Sequence, residues 1–138
     1  MYKKILLTLD GNPTDRAIIE HVKELARYMK SHVALLHVAD GWAARRFGPD
    51  AVSVEITRDK EYLEKIHQEL LSMGIETDAE LAYGEPADEI VKYVENNGCD
   101  LIAMSTHGHR FFADLFLGTT VTRVRHRVHV PVLLLKAK

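Results

Sequence analysis

The chain has 138 residues, 46% of them hydrophobic and 28% charged, which suits one globular domain with a full core. Its net charge of −2 does not support a sequence-independent nucleic-acid binder, which needs a basic face. The lone Cys99 excludes an intrachain disulfide framework, and no apolar run approaches the roughly 20 residues of a membrane span. We therefore expect a cytoplasmic location, with neither membrane nor nucleic acid as a partner.

The first part of the chain predicts a strand, a helix and a second strand. Residues 5–9 (ILLTL) form a continuous apolar run, typical of a strand buried on both faces of a parallel sheet. Asn12 as a cap, Pro13 at the first helical position and Asp15 near the positive end predict a helix start. Apolar residues then recur at helical spacing. The run 33–39 (VALLHVA) predicts another buried strand.

The middle of the chain gives the weakest signal. Residues 40–57 are broken by glycines and a proline, and we interpret them as a variable connection with room for a short helical turn. Apolar spacing predicts a helix over roughly residues 58–73, ended by Gly74. Residues 75–82 alternate between apolar and polar side chains, which predicts a strand with one wet face or at a sheet edge.

The last part of the chain predicts a helix opened at residues 84–86 and closed by Gly98, then a buried strand at residues 101–104. A small, polar, glycine-containing loop follows from Ser105 and returns at Gly118, which we predict to open the next helix. The predicted last strand covers residues 130–135, with Pro131 at a position compatible with a sheet edge.

Five strands alternating with helices predict an α/β fold: a single domain over residues 1–138, with an open parallel sheet and helices on both faces, Rossmann-like. In such folds ligands bind beyond the carboxyl ends of the strands. The loop from Ser105 to Gly118 leaves one of these ends. Glycines allow close approach of the backbone, and amides at a helix start suit a phosphate. The alternative is that Gly108 and Gly118 are ordinary turn glycines.

Segments along residues 1–136 together resemble the universal stress protein family: YKKILLTLD, LLHV, GEPADEIVKYVENNGCDLIAMSTHG, GTT and VPVLLLK. The resemblance implies a five-stranded sheet of order 3-2-1-4-5 and a dimer. The nucleotide-binding branch of that family carries Gly-x2-Gly-x9-Gly-[Ser/Thr] for ATP. The pattern falls here on Ser105, Gly108, Gly118 and Thr119, with serine replacing the first glycine; another branch lacks the motif and does not bind ATP.

The resemblance also implies that Asp10 meets the ribose or base and that the main chain of Val38 meets adenine. The alternative for Asp10 is a local turn before the helix. Ser105 can itself donate to a phosphate or ribose oxygen, so we expect binding to survive. The expected ligand is ATP, or ADP or AMP, with Mg²⁺ as an optional companion. The expected contacts are Thr8, Leu9, Asp10, Val38, Met104, Ser105, His107, Gly108, His109, Arg110, Gly118, Thr119 and Thr120.

The sequence predicts no catalytic residue and no metal site. It has no GxSxG elbow and no paired cysteine and histidine signature, and residues 10–15 (DGNPTD) match neither HxGH nor SGGxDS. The pairs His107/His109 and His126/His129 could each share a side, but no cysteine or carboxylate completes a recognised ligand set.

The predicted function is thus that of an ATP-binding, dimeric stress-response protein, a ligand-sensing module with an unknown protein partner. An exposed apolar edge pairs readily with another chain. We therefore predict a two-fold homodimer in which the last strand, residues 130–135, meets its copy. Two alternatives remain open: a nucleotide-free dimer that acts through protein contacts, and a slow ATPase.

Overall fold

The computed structural model of the chain describes residues 1–39, 48–107 and 113–137. Parallel strands alternate with helices along these residues. The strands are β1 (Lys4–Leu9), β2 (His32–Ala39), β3 (Thr77–Tyr83), β4 (Leu101–His107) and β5 (Val132–Ala137). The helices are α1 (Arg16–Met29), α2 (Pro49–Ser72), α3 (Pro86–Asn97) and α4 (Ala113–Arg127), with a 3-10 turn at Pro13–Asp15.

The strands form one five-stranded parallel sheet of order β3-β2-β1-β4-β5, which confirms the predicted fold. β1 is the central strand. On one side Leu7 pairs with Leu35 of β2, and on the other it pairs with Ala103 of β4. The chain therefore winds outward in both directions from β1, and the winding reverses between β1 and β4.

Two hydrophobic clusters cover the two faces of the sheet. Ile5 and Leu7 of β1 pack with apolar residues of α1 and α2 on one face. Leu6 points the other way and packs with α3 and α4. Leu6 and its two neighbours have no exposed surface. Successive side chains of a strand point to opposite faces, which is why an uninterrupted apolar run was the right signature for β1.

The start of α1 is as predicted. Asn12 caps the 3-10 turn, since its side-chain oxygen accepts from the Thr14 amide at 2.9 Å. Pro13 is the first residue of that turn, where a missing N–H costs nothing. The turn leads directly into α1 and carries Asp15 into the interior.

Helix α2 begins at Pro49, nine residues before the predicted start near residue 58, so part of the predicted connection was wrong. Gly48 precedes it with φ +90, a conformation that glycine adopts readily. The early turns bury little: Val54, for instance, is 59% exposed. Without a buried stripe the sequence shows no helical periodicity there. Residues 40–47 of the predicted connection lie outside the described residues.

The two edge strands are shifted from their predicted bounds. β3 begins at Thr77 rather than at residue 75 and lies at one edge, which confirms one of the two interpretations of its alternating pattern. β5 covers Val132–Ala137 rather than residues 130–135 and lies at the other edge. Its length is set by pairing with β4, which continues to Ala137. The hydropathy of the side chains does not show which backbone positions pair, so it does not predict where this strand begins and ends.

β4 and α4 also differ from expectation around the predicted loop. β4 continues past residue 104 to His107, so Ser105 lies in a strand, paired with Leu135, and not in a loop. α4 begins at Ala113 rather than at Gly118. Alanine and leucine before Gly118 favour helix, whereas the glycine alone was interpreted as the boundary.

Among the helices of the described residues, none is long and apolar enough to cross a membrane.

Candidate functional site

A cavity of about 170 Å³ opens at the carboxyl ends of β1, β2 and β4, where the winding of the sheet reverses. α3 and α4 close its other side. This is the position at which open α/β sheets bind ligands. The cavity is lined by Thr8, Leu9, Asp10, Leu36, His37, Val38, Pro86, Ile90, Met104, Ser105, Thr120 and Val121.

The cavity brings together seven of the residues predicted to contact a ligand: Thr8, Leu9, Asp10, Val38, Met104, Ser105 and Thr120. The other six are not tested by it. Gly108, His109 and Arg110 lie outside the described residues. For His107, Gly118 and Thr119 the structure describes the backbone alone, which lies in β4 and α4.

Ser105, in β4, is a buried polar residue of the cavity lining. It is 7% exposed, and its Oγ is buried without a hydrogen-bond partner in the described part of the chain. Leaving such a group unsatisfied costs about 1–3 kcal/mol. A strand residue on this inward face is normally apolar, as its neighbour two positions earlier, Ala103, is. The hydroxyl at this position therefore suits a ligand that offers it a partner.

Asp15 fixes the turn that carries Asp10. Its wholly buried carboxylate accepts from the amide of Asp10 at 2.9 Å and from the amide of Gly11 at 2.8 Å. It also accepts from the hydroxyl of Tyr62 in α2 at 2.7 Å. Burial, and then the hydrogen bond to Asp15, raise the pKa of Tyr62, so its hydroxyl keeps the proton that it donates. Asp15 was predicted only to favour the helix start, and its contacts to the turn were missed.

His37 forms the wall of the cavity next to this turn. Its Nδ1 donates to the carbonyl of Leu9 at 2.8 Å, and its Nε2 lies 3.4 Å from Oδ2 of Asp59. Asp59 Oδ2 is buried without a hydrogen-bond partner in the described residues, so its approach to Nε2 is close but lacks the geometry of a hydrogen bond. The turn passes close over the ring: a Cβ on Gly11 would lie 3.2 Å from Cε1 of His37, and Gly11 has φ +86. Both the positive φ and the closeness of the His37 ring favour glycine at this position.

The charge of Asp10 is set by these neighbours. Part of the residue faces solvent at the cavity mouth, but the surrounding protein leaves its carboxyl poorly hydrated. This desolvation, and then the nearby charge of Asp15, raise the pKa of Asp10 to about 6, while His37 acts to lower it. The carboxyl of Asp10 therefore changes charge in mildly acidic solution.

Ion pairs tie together the two helices that close the cavity. Arg123 of α4 contacts Glu85, and Arg127 lies 2.5 Å from Asp88 at the start of α3. Glu85 also caps α3, since it accepts from the Ala87 amide at 2.7 Å. These ion pairs connect the part of α3 near Pro86 with the part of α4 that carries Thr120 and Val121.

Five lining residues were not predicted: Leu36, His37, Pro86, Ile90 and Val121. Leu36 and Val38 lie two apart in β2 and so share a face, a signal that could have added Leu36. The others depend on how helices pack over the sheet, which a single sequence does not show.

The metal interpretation has no support in the described residues, among which no three histidine, cysteine, aspartate or glutamate residues could hold an ion together. His126 lies on α4 and His129 lies two residues beyond its end at Arg127, and both are exposed.

An open parallel sheet with a cavity at its point of reversal defines a class of ligand-binding α/β proteins. Within that class, the chain belongs to the universal stress protein family, whose model matches residues 1–136. It is 30% identical over 157 residues to universal stress protein MJ0577 of Methanocaldococcus jannaschii, covering all of this chain and 97% of that protein. The solved structure of MJ0577 matches with a TM-score of 0.82 at 32% identity, covering 100% of this chain and 98% of that one.

Two more distant structures share the fold and carry ligands. A universal stress protein solved in complex with cAMP matches with a TM-score of 0.73 at 15% identity, covering 99% of this chain and 98% of that one. The universal stress protein of Archaeoglobus fulgidus in complex with dAMP matches with a TM-score of 0.69 at 18% identity, covering 96% and 97%. At these identities the likeness is one of fold.

Proposed function

We propose that this chain binds an adenine nucleotide, with ATP as the first candidate, in the cavity at the ends of β1, β2 and β4, and acts as a ligand-sensing module. The observation that carries the proposal is the convergence of the Asp10 carboxyl and the unpartnered Ser105 hydroxyl on one cavity at the reversal of the sheet. Polar groups of this kind, set into apolar walls, are typical of small-molecule sites.

The walls suit a nucleoside. Val38 is the last residue of β2 that lines the cavity. Its backbone N–H and C=O can form hydrogen bonds with the edge of an adenine. Ile90, Met104 and Val121 provide apolar surface for a flat base. Asp10 at the mouth can accept hydrogen bonds from ribose hydroxyls. The two proteins of this fold that were solved with cAMP and dAMP support adenine nucleotides as the ligand class to test.

The phosphates are proposed to meet Gly108, Gly118 and Thr119, together with His107, His109 and Arg110. Because α4 begins at Ala113, Gly118 lies inside the helix. The proposal for Gly118 therefore rests on the spacing of the family motif and not on a helix start at that residue. Mg²⁺ would accompany the phosphates and is proposed only with them.

The first test is co-purification of a nucleotide, measured by absorbance and mass spectrometry of the denatured protein. Titration calorimetry with ATP, ADP, AMP and adenosine then ranks the ligands. We expect ATP to bind more tightly than adenosine, and Gly118→Val to abolish ATP binding in a protein that remains folded. Absence of any adenine ligand in both measurements would favour the nucleotide-free dimer instead.

A cytoplasmic homodimer is the proposed state in which this site works. β5 is an edge strand, and Leu134 on it is 39% exposed, which leaves an apolar contact for a second copy.

A further inference from the structure

We propose that Asp15 and His37 are positioning residues of the nucleotide site, an inference that rests on the proposed function. They hold the Asp10 turn from two sides and act in opposite directions on the ionisation of Asp10. Ligand affinity therefore depends on pH.

The first step is orientation. The backbone amides of Asp10 and Gly11 both donate to the buried carboxylate of Asp15, at 2.9 and 2.8 Å. From the other side, the ring of His37 donates to the carbonyl of Leu9, the residue before Asp10. Three successive residues of the strand end are thus held by side chains, which restricts the direction of the Asp10 side chain at the cavity mouth.

The second step is charge. Asp15 has no exposed surface and lies directly against the Asp10 turn; after desolvation, its charge is the next cause that raises the pKa of Asp10. A buried negative charge five residues from Asp10 disfavours a second one there. His37, on the other side of the turn, acts in the opposite direction and lowers the pKa of Asp10. Asp59, 8% exposed, lies next to His37, with its Oδ2 3.4 Å from Nε2.

In the described residues, the other elements that line the cavity do not change this balance of charges around Asp10. β4, α3 and α4 line the cavity with Met104, Ser105, Pro86, Ile90, Thr120 and Val121, which carry no charge at neutral pH. From α2 the facing titratable groups are Asp59 and Tyr62, and from the start of α1 Arg16 acts on Tyr62.

The effect of pH on binding follows from which form of Asp10, ionised or neutral, binds the ligand more tightly. An ionised carboxylate accepts a stronger hydrogen bond from a ribose hydroxyl than a neutral carboxyl does. Affinity should therefore be higher above the pH at which Asp10 ionises and lower below it. Because phosphate groups also titrate near pH 6, the appropriate probe is adenosine. We expect adenosine to bind roughly fivefold more tightly at pH 7.5 than at pH 5.

The test begins without ligand. The carboxyl carbon of Asp10, assigned with Asp10→Asn, is followed by NMR across pH 3–8. The expected midpoint in the wild type is about 6. Asp15→Asn should lower the midpoint and His37→Gln, which keeps a donor for Leu9, should raise it. Asp78→Asn is the matched control, because Asp78 pairs with His32 at the opposite end of the sheet and should leave the midpoint unchanged.

Two results would overturn the inference: a wild-type midpoint near the ordinary 3.8, or shifts of the same sign in Asp15→Asn and His37→Gln, as mere loosening of the turn would give. If Asp15→Asn does not fold, the wild-type midpoint and His37→Gln still decide. Adenosine affinity that does not change between pH 5 and 7.5 also defeats the inference while leaving the proposed function intact. Absence of all adenine-ligand binding together with the expected NMR midpoints overturns the proposed function alone.

Discussion

Ser105 has a buried hydroxyl whose Oγ is without a hydrogen-bond partner in the described residues. We expect Ser105→Ala to leave the free energy of unfolding unchanged or to raise it by about 1 kcal/mol, because an unsatisfied group is removed. The same change should weaken nucleotide binding by about 0.5–1.5 kcal/mol, the worth of one hydrogen bond.

Thermal unfolding and titration calorimetry measure the two effects of Ser105→Ala. Thr106→Ala is the matched control, since the next residue of β4 points to the opposite face of the sheet. Lower stability with unchanged affinity would assign the Ser105 hydroxyl to the fold instead of the ligand.

Asp10 should likewise be more important for binding than for folding. We expect Asp10→Ala to weaken ATP binding by about 1–3 kcal/mol, the usual cost of losing a hydrogen bond to a charged group. Since its pKa is raised by folding, the folded state holds the proton more tightly than the unfolded state. That contribution to stability is present below pH 3.8 and is lost as the pH rises through about 6.

Urea unfolding at pH 4 and pH 7.5 tests this sign for Asp10. Wild-type stability relative to Asp10→Asn should decrease between the two pH values. A relative stability that increases instead would show that folding favours the ionised form of Asp10.

The residues around Asp10 also show what a single sequence cannot give. Asp10, Val38 and Ser105 were predicted because strand ends and a family motif mark them. The side chains that hold these residues in place were not predicted, because their hydrogen bonds join positions far apart in the sequence: Tyr62 to Asp15 across 47 residues, and His37 to Leu9 across 28. No local pattern encodes such pairs.

Among the elements, α2 contacts the residues around the Asp10 turn through two side chains, Tyr62 and Asp59. Tyr62 donates to Asp15 from α2, while apolar residues of the same helix pack on the sheet. We expect Tyr62→Phe to destabilise the protein by about 1.5–3 kcal/mol, the worth of a hydrogen bond to a charged group. Chemical denaturation measures the loss.

The control for Tyr62→Phe is Tyr83→Phe, because Tyr83 is 54% exposed at the end of β3 and should change stability little. Equal effects of the two substitutions would mean that the contact to Asp15 does not stabilise the fold.

For helices and strands, the sequence predicts which elements form better than it predicts where they begin and end. The buried strands β1 and β2 were found because both of their faces are apolar. The end of β4 was missed because Ser105, Thr106 and His107 are polar, although their backbones pair with β5. The start of α2 was missed because its first turns bury little surface. Boundaries follow backbone pairing and tertiary contact, neither of which has a side-chain signature.

For the whole molecule, the open question is assembly. β5 is an edge strand in the described part of the chain, and Leu134 is exposed on it, whereas Val132 packs partly against one of the two clusters. We expect Leu134→Lys to convert a dimer to a monomer, because it places a charge in the apolar contact. Light scattering at micromolar concentration measures the mass.

Leu71→Lys provides the matched control, since Leu71 is 42% exposed on α2, away from β5. A wild-type protein that is already monomeric, or a Leu134→Lys protein that stays dimeric, contradicts an interface through the last strand.

The pairing of β1 with β4 also has a consequence for the order of assembly. Where the two strands begin, hydrogen bonds join residues far apart in the sequence: the amides of Lys3 and Lys4 donate to the side chain of Asp100, across 97 and 96 of the 138 residues. Closing so long a loop is entropically costly, so contacts of this range form slowly. The cavity spans this seam and is completed only when the two halves of the sheet meet. A ligand bound there stabilises the finished sheet and gives no support to either half alone.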